Sequence, residues 1–271
     1  MSATPLRVAV AGVTGRMGRL IAEQVLAAPD LQLVAALARE GNAAVGSPLG
    51  DLRIAPDQPD QLGDAQVLID FTRVNATLAH LESCQASGCA MVIGTTGFSA
   101  VEMARIHEAA QQLPILWAPN TSLGVAVVME LLRQAGQRLG PDYDVEIVEA
   151  HHRHKVDAPS GTALQMGEVV AAARGHALRD AAVLSREGQT GPRPRGAIGF
   201  AAVRGGAIIG DHQVMFCGEH EVIEIAHRSS SRAHYASGAL AAARFVQRQR
   251  PGLYSMADVV AAMGSQAGAA R

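Results

Sequence analysis

RVAVAGVTGRMG, from Arg7 to Gly18, decides the fold. Arg7 to Ala11 is a short apolar run, glycines stand at Gly12, Gly15 and Gly18, and helical spacing runs from Arg16 to Ala28. A strand that turns into a helix over glycines aims backbone N–H groups and the positive end of the helix dipole at one point, which suits a pyrophosphate. Arg16 adds a cation in the first turn. The same spacing also serves ordinary strand-to-helix turns, so its place matters. Here it follows the first strand of a strand–helix series, where a dinucleotide loop belongs.

Outward from this loop the chain keeps alternating. Leu31 to Leu37 (LQLVAAL), Val67 to Phe71 (VLIDF), Ala90 to Ile93 (AMVI) and Ile115 to Ala118 (ILWA) are continuous apolar runs, as strands buried on both faces are. Asn75 to Ser87 and Ser99 to Gln112 carry helical spacing, and Ser99 with Glu102 three residues on forms a capping box. The alternation predicts an α/β, Rossmann-like, doubly wound parallel sheet. After Asn120 the texture changes. A helical stretch, Gly124 to Leu139, leads into DVEIVEAHH, whose alternation fits a sheet with one wet face. Ile198 to Arg204, Ala207 to Ile209, His212 to Phe216 and Val222 to His227 read as antiparallel strands, and the helix from Ser231 returns the chain to its first domain. The expected division is residues 1–122 plus 233–271 for the dinucleotide and an inserted α+β domain, 123–232. The Pro/Gly-rich stretch Gly188 to Gly196 reads as a mobile surface loop.

Composition narrows the function classes. The 271 residues are 48% hydrophobic and 18% charged, enough for one large or two modest domains with buried cores. Aromatics at 3% leave too few rings for a single-stranded nucleic-acid platform, and a net charge of -2 disfavours a polyanion partner. Cys84, Cys89 and Cys217 form no CxxC pair and read as buried thiols of a reducing cytoplasm. No apolar run has the length of a membrane span, and no membrane partner is expected.

Three further segments fall where such sheets bind ligands. The acid expected about 20 residues after the glycine loop, for a ribose 2′-hydroxyl, is missing. Ala38 and Arg39 stand at the strand end with Glu40 after them, and an arginine there suits a 2′-phosphate, so NADPH is expected in preference to NADH. Gly94-Thr95-Thr96-Gly97 follows one apolar run and Ala118-Pro119-Asn120-Thr121 ends the next. Both are placed to hold the nicotinamide end, or to be plain turns.

The densest chemistry is EAHHRHKVDAPSGTAL, Glu149 to Leu164. Three readings of His151, His152, His154 and Lys155 compete. Adjacent histidines on a strand point to opposite faces, and no partnered cysteine or HExxH helix accompanies them, so a metal site is disfavoured. A solvated polar loop or oligomer contact is the second reading. The third is an anion-binding catalytic site, in which lysine attracts a carboxylate and histidine handles a proton near neutral pH. Ser160-Gly161-Thr162 at a helix start adds a second anion cradle, and two cradles suggest a dicarboxylate.

With GxxGRMG near the N-terminus, DFT at Asp70 to Thr72, VIGTTGF at Val92 to Phe98 and SREG at Ser185 to Gly188, this run resembles the dihydrodipicolinate reductase family through nearly the whole chain. The resemblance implies reduction of a conjugated cyclic imine by NADPH or NADH, giving tetrahydrodipicolinate in lysine and diaminopimelate biosynthesis. It also implies a substrate domain whose open mixed sheet assembles a homotetramer. It assigns His151 as proton donor or acceptor and Lys155 as proton donor. Substrate contacts carry over to His152, Gly161 and Thr162, with Ser160 adjacent. Cofactor contacts carry over to Gly12, Val13, Thr14, Gly15, Arg16 and Met17, to Arg39, to Gly94, Thr95 and Thr96, and to Ala118, Pro119, Asn120 and Thr121. Many members have an acid where this chain has Ala38 and an aromatic residue where it has Thr121. A non-catalytic NADP-sensing protein of the same fold, or a metal-dependent hydrolase using the histidines, are the alternatives. The first has little reason to hold both Lys155 and the histidines.

Overall fold

The computed structural model describes residues 4–269. The chain divides into two compact units, one running to Leu123 and resuming at Ala233, the other Gly124–Arg232.

In the first unit, β1 (Leu6–Ala11) enters α1 (Arg16–Ala27) through the glycine loop, and β2 (Leu31–Ala38) follows. Short strands β3 (Pro48–Leu49), β4 (Leu52–Arg53) and β5 (Ala55–Pro56) precede β6 (Val67–Asp70), α2 (Val74–Ser87), β7 (Ala90–Ile93), α3 (Ala100–Ala109) and β8 (Pro114–Trp117). The capping box at Ser99 and Glu102 is formed. Six strands of this set and one from the tail make a seven-stranded, all-parallel sheet, a Rossmann-like fold. The central strands are apolar almost throughout, Asp70 at the end of β6 excepted, because helices cover both faces. Ala9, Ala11, Leu68, Met91 and Ile93 form one core with Leu78 and Leu81 of α2 and Ile106 of α3.

The second unit is built on α4 (Leu123–Arg138), β9 (Asp144–His151), α5 (Gly161–Ala173), β10 (Ala182–Val183), β11 (Ile198–Arg204), β12 (Asp211–Cys217) and β13 (Val222–Arg228). Its sheet is mixed, in the order β10-β11-β9-β12-β13. Val145 and Ile147 of β9, Phe200 of β11 and Val214 and Phe216 of β12 share a core with Leu132 of α4 and Met166 and Val170 of α5. Two expectations are corrected here. The Ile198–Arg204 strand pairs in parallel with β9, not antiparallel, since the long connection from α5 brings it back in the same direction. Ala207 to Ile209 forms no strand: Gly206, at φ +49, turns the chain directly before it. The 188–196 stretch is a loop, but Arg193 anchors it, donating to Glu146, Asp144 and the carbonyls of Val145 and Ala197.

The tail completes the first unit. In α6 (Ala233–Val246) Ala236, Ala239 and Ala243 are fully buried; β14 (Gly252–Tyr254) then pairs beside β8 as the sheet's edge, and α7 (Met256–Ala269) follows. A Cβ on Gly238 would lie 1.7 Å from the Thr121 carbonyl oxygen, so only glycine lets α6 approach there. Among the described residues no helix is long and apolar enough to cross a membrane.

Candidate active site

The glycine loop has the form a pyrophosphate needs. Gly12 sits at φ +78, and a Cβ on Gly18 would lie 2.1 Å from the Gly12 carbonyl oxygen, so α1 begins tight against the turn. The N–H groups of Gly12 and Val13 both donate to Leu37 O, at 2.9 and 3.1 Å, and Gly15 N–H donates to Gly12 O at 2.8 Å. Val13 is buried. Thr14, Gly15 and Arg16 are exposed and Met17 is half-buried. Gly15 caps α1 without a side chain, which leaves the helix start open to an outside anion.

At the end of β2, Ala38 is buried while Arg39 and Glu40 are exposed. Gly94 to Thr96 leaves β7, where a Cβ on Gly94 would meet the Phe71 ring at 2.4 Å. Thr95 is buried, its hydroxyl accepting from Thr77 at 2.8 Å and its carbonyl from Trp117 Nε1 at 3.1 Å. Ala118 and Thr121 are buried, Pro119 is exposed, and Asn120 Oδ1 accepts from Ser122 N–H. The Thr121 hydroxyl donates to Tyr235 O at 2.8 Å, so its side chain points inward and only its backbone could meet a ligand. All four segments belong to the first unit. The open helix start and the glycine positions fit a dinucleotide.

In the second unit the period of two places the titratable groups. Val145, Ile147, Glu149 and His151 share one face of β9; His212 of β12 lies beside Glu149, and Arg204 of β11 beside His151. Glu149 is 1% exposed and fully occupied. Oε2 receives His151 Nδ1 at 2.6 Å and Arg204 Nη1 at 2.7 Å, while Oε1 receives Arg204 Nη2 at 2.7 Å and Ser160 N–H at 3.1 Å. Burial by itself raises the Glu149 pKa, but the hydrogen bonds from Arg204 and His151 outweigh it and hold the carboxyl below its ordinary value. An ionised carboxylate only accepts, so Nδ1 of His151 carries a proton and Nε2 is the nitrogen left for proton transfer. A Cβ on Gly210 would lie 3.1 Å from that Nε2, so the glycine gives the ring its room.

His212 packs edge-on to His151, ring centroids 5.1 Å apart. Burial, then the charge of His151, pushes its pKa down to about 4, so it is a neutral wall. Lys155 donates to both Asp157 oxygens at 2.8 Å. His152 has its pKa lowered by desolvation and by the charges of Arg232, His151, His154 and Lys155. That crowding of cations favours an arriving anion. Ser160 is engaged within the chain. It is the N-cap of α5, its hydroxyl accepting from Ala163 N–H at 3.2 Å and bonding His212 Nε2 at 2.9 Å, and its own N–H goes to Glu149. Gly161 and Thr162 are the first residues of α5. Among the described residues no group of three His, Cys, Asp or Glu is placed to hold a metal ion. The sequence reading gave Glu149, Arg204 and His212 no role. Glu149, two residues before His151, carried the one available signal.

Family models described as the N-terminus and the C-terminus of dihydrodipicolinate reductase match residues 6–121 and 124–260. The chain is 53% identical over 262 residues to the 4-hydroxy-tetrahydrodipicolinate reductase of Nitrosospira multiformis, covering 94% of this chain and 97% of that one. It is 53% identical over 264 residues to the enzyme of that name from Bordetella pertussis, covering 95% and 98%. A solved dihydrodipicolinate reductase from Paenisporosarcina, described as dipicolinate-bound, shares the fold at 24% identity and a TM-score of 0.75, covering 93% of this chain and 98% of that one.

Proposed function

The chain belongs to the dihydrodipicolinate reductase family, and on that premise we propose that it reduces the conjugated cyclic imine left when 4-hydroxy-tetrahydrodipicolinate loses its hydroxyl as water, giving tetrahydrodipicolinate, with NADPH, and less well with NADH, in diaminopimelate and lysine biosynthesis. The observation that carries the reading is His151, its Nδ1 fixed on Glu149, in the same loop system as Lys155 and the start of α5. A bound nicotinamide would supply the hydride, and Thr14 to Met17, Gly94 to Thr96 and the backbone of Ala118 to Thr121 would hold its dinucleotide. The chain's own task is then to grip two carboxylates and deliver a proton. Gly161 and Thr162 grip one carboxylate through the N-terminal end of α5, and His152 with Lys155 attracts the other. Lys155 exchanges Asp157 for the substrate and protonates on the ring-nitrogen side, while His151 Nε2 serves as the second acid–base group.

NADPH is preferred in this proposal because Arg39 is exposed beside a buried Ala38 that offers no carboxylate to a 2′-hydroxyl. We place the enzyme in the cytoplasm, where the free thiols of Cys84, Cys89 and Cys217 would persist. The test follows absorbance at 340 nm while a synthase generates the unstable substrate. Oxidation that depends on the synthase product, with kcat/KM higher for NADPH, is the expected result. Equal or better use of NADH refutes the Arg39 assignment, and no oxidation with either refutes the reaction.

A further inference from the structure

We propose that His80 is a positioning residue for the dinucleotide: clamped between Asp57 and Asp70, it fixes the backbone on which the glycine loop and the Gly94–Thr96 turn both rest. This rests on the reading that those segments hold the cofactor.

His80 lies on α2, 5% exposed, and both ring nitrogens face carboxylates. Nδ1 is 2.8 Å from Asp70 Oδ2, and Nε2 bonds Asp57 Oδ1. Carboxylates accept only, so the ring donates twice and is an imidazolium. Asp70, fully buried at the end of β6, uses its other oxygen to receive Thr72 N–H at 2.8 Å and the Thr72 hydroxyl at 2.6 Å.

That pair of bonds pins Phe71–Thr72, and this dipeptide fills the space behind two glycines. A Cβ on Gly12 would lie 3.0 Å from the Phe71 carbonyl oxygen and 3.1 Å from the Thr72 methyl group. The Phe71 ring occupies the space beside Gly94. Thr77, three residues before His80 on the same helix, donates to the Thr95 hydroxyl at 2.8 Å. On the far side, Asp57 N–H donates to the carbonyl of Ala38, the neighbour of Arg39, at 2.8 Å. One buried cation thus ties together the supports of three separate cofactor segments. An aliphatic side chain would pack α2 on the sheet without the desolvation cost of a buried ion. What the charge adds is direction, because it sets where Asp70 and therefore Thr72 must sit.

Trp117 is the only tryptophan, and its Nε1 holds the Thr95 carbonyl, so quenching of its emission by added NADPH reports binding at this turn. His80→Gln replaces two donor nitrogens by one and removes the charge. The Kd and KM for NADPH are expected to rise roughly tenfold, with kcat at saturating cofactor and the KM for the imine substrate within about twofold of wild type. Thr77→Val, which cuts the links to the Thr95 and Thr72 hydroxyls but leaves the His80 ring bonds in place, is expected to raise the same two constants less. The double variant is expected to fall short of the product of the two effects, as members of one network do. Wild-type NADPH affinity in a folded His80→Gln protein, or equal changes in kcat and both KM values, would overturn the proposal. Should His80→Gln fail to fold, Thr77→Val decides alone, unchanged NADPH affinity overturning the clamp. Wild-type protein that does not bind NADPH would overturn the cofactor site itself, and the clamp with it.

Discussion

Replacing Glu149 by glutamine keeps the shape of the side chain but removes the charge that Arg204 and His151 share. The amide can no longer hold a proton on Nδ1 unambiguously, and the guanidinium of Arg204 loses its bidentate partner. The expected result is a fall in kcat of roughly tenfold or more, with NADPH affinity unchanged, since losing the group that orients an acid–base histidine is costly even when geometry survives. His151→Ala and Lys155→Ala remove the two groups proposed to handle protons and are expected to lower kcat by roughly 100- to 10,000-fold, again at constant NADPH affinity. A near-normal kcat in either variant would take that residue out of the mechanism. His151 and Lys155 could be proposed from the sequence because an unbroken run of titratable groups before a helix start has little packing purpose. Arg204 and His212 were not: each is an ordinary member of an alternating strand until pairing with β9 sets it beside Glu149 or His151. Ser160 shows the opposite difficulty. A serine at a helix start suits an external anion and an N-cap equally, and only the geometry shows that Ala163 and His212 occupy it.

At the scale of elements, two buried histidines make stability depend on pH in opposite directions. For His80, burial alone would lower the pKa, but the bonds to Asp57 and Asp70 outweigh it and raise it from 6.5 to about 9. Its contribution is complete below pH 6.5 and is lost as pH rises through 9, at most about 3 kcal/mol. His212, lowered to about 4, contributes fully above pH 6.5 and loses its contribution as pH falls through 4. Urea unfolding followed by Trp117, which lies in the same unit as His80, is expected to show stability falling between pH 6.5 and 9, and His80→Gln is expected to flatten that slope. An identical slope in the variant would show that other groups set it. The His80 clamp was invisible in the sequence because Asp57, Asp70 and His80 come from a loop, a strand end and a helix that only the parallel sheet brings together. The sheet itself was legible, since strands buried on both faces are apolar end to end. The direction of β11 was not, because alternation records which face is wet and says nothing of which way the neighbouring strand runs.

At the scale of the whole molecule, the two faces of the five-stranded sheet differ. α4 and α5 cover the face of Val145, Ile147 and Phe216. On the opposite face Val203 is 48% exposed and Val222 is 54% exposed, with Val148 and Met215 half-buried on the central strands between them. Apolar groups across a sheet of this breadth cost solvation free energy unless something covers them, at about 25 cal/mol for each Å² left in water. The homotetramer that the family resemblance implies would cover them with the same face of other copies, each sheet contributing β11, β9, β12 and β13. Arg186 and Arg193 pair with Glu146, and Arg193 also with Asp144, so two cations meet two carboxylates within the chain and burying the group in an interface would strand no net charge. Val203→Glu together with Val222→Glu would place new, unpaired carboxylates on that face while leaving the core side untouched. Sedimentation velocity is expected to show a tetramer for the wild type and smaller species for the double variant, with far-UV circular dichroism unchanged. A wild-type monomer, or a variant that still assembles as a tetramer, would mean that this face is not where the copies meet.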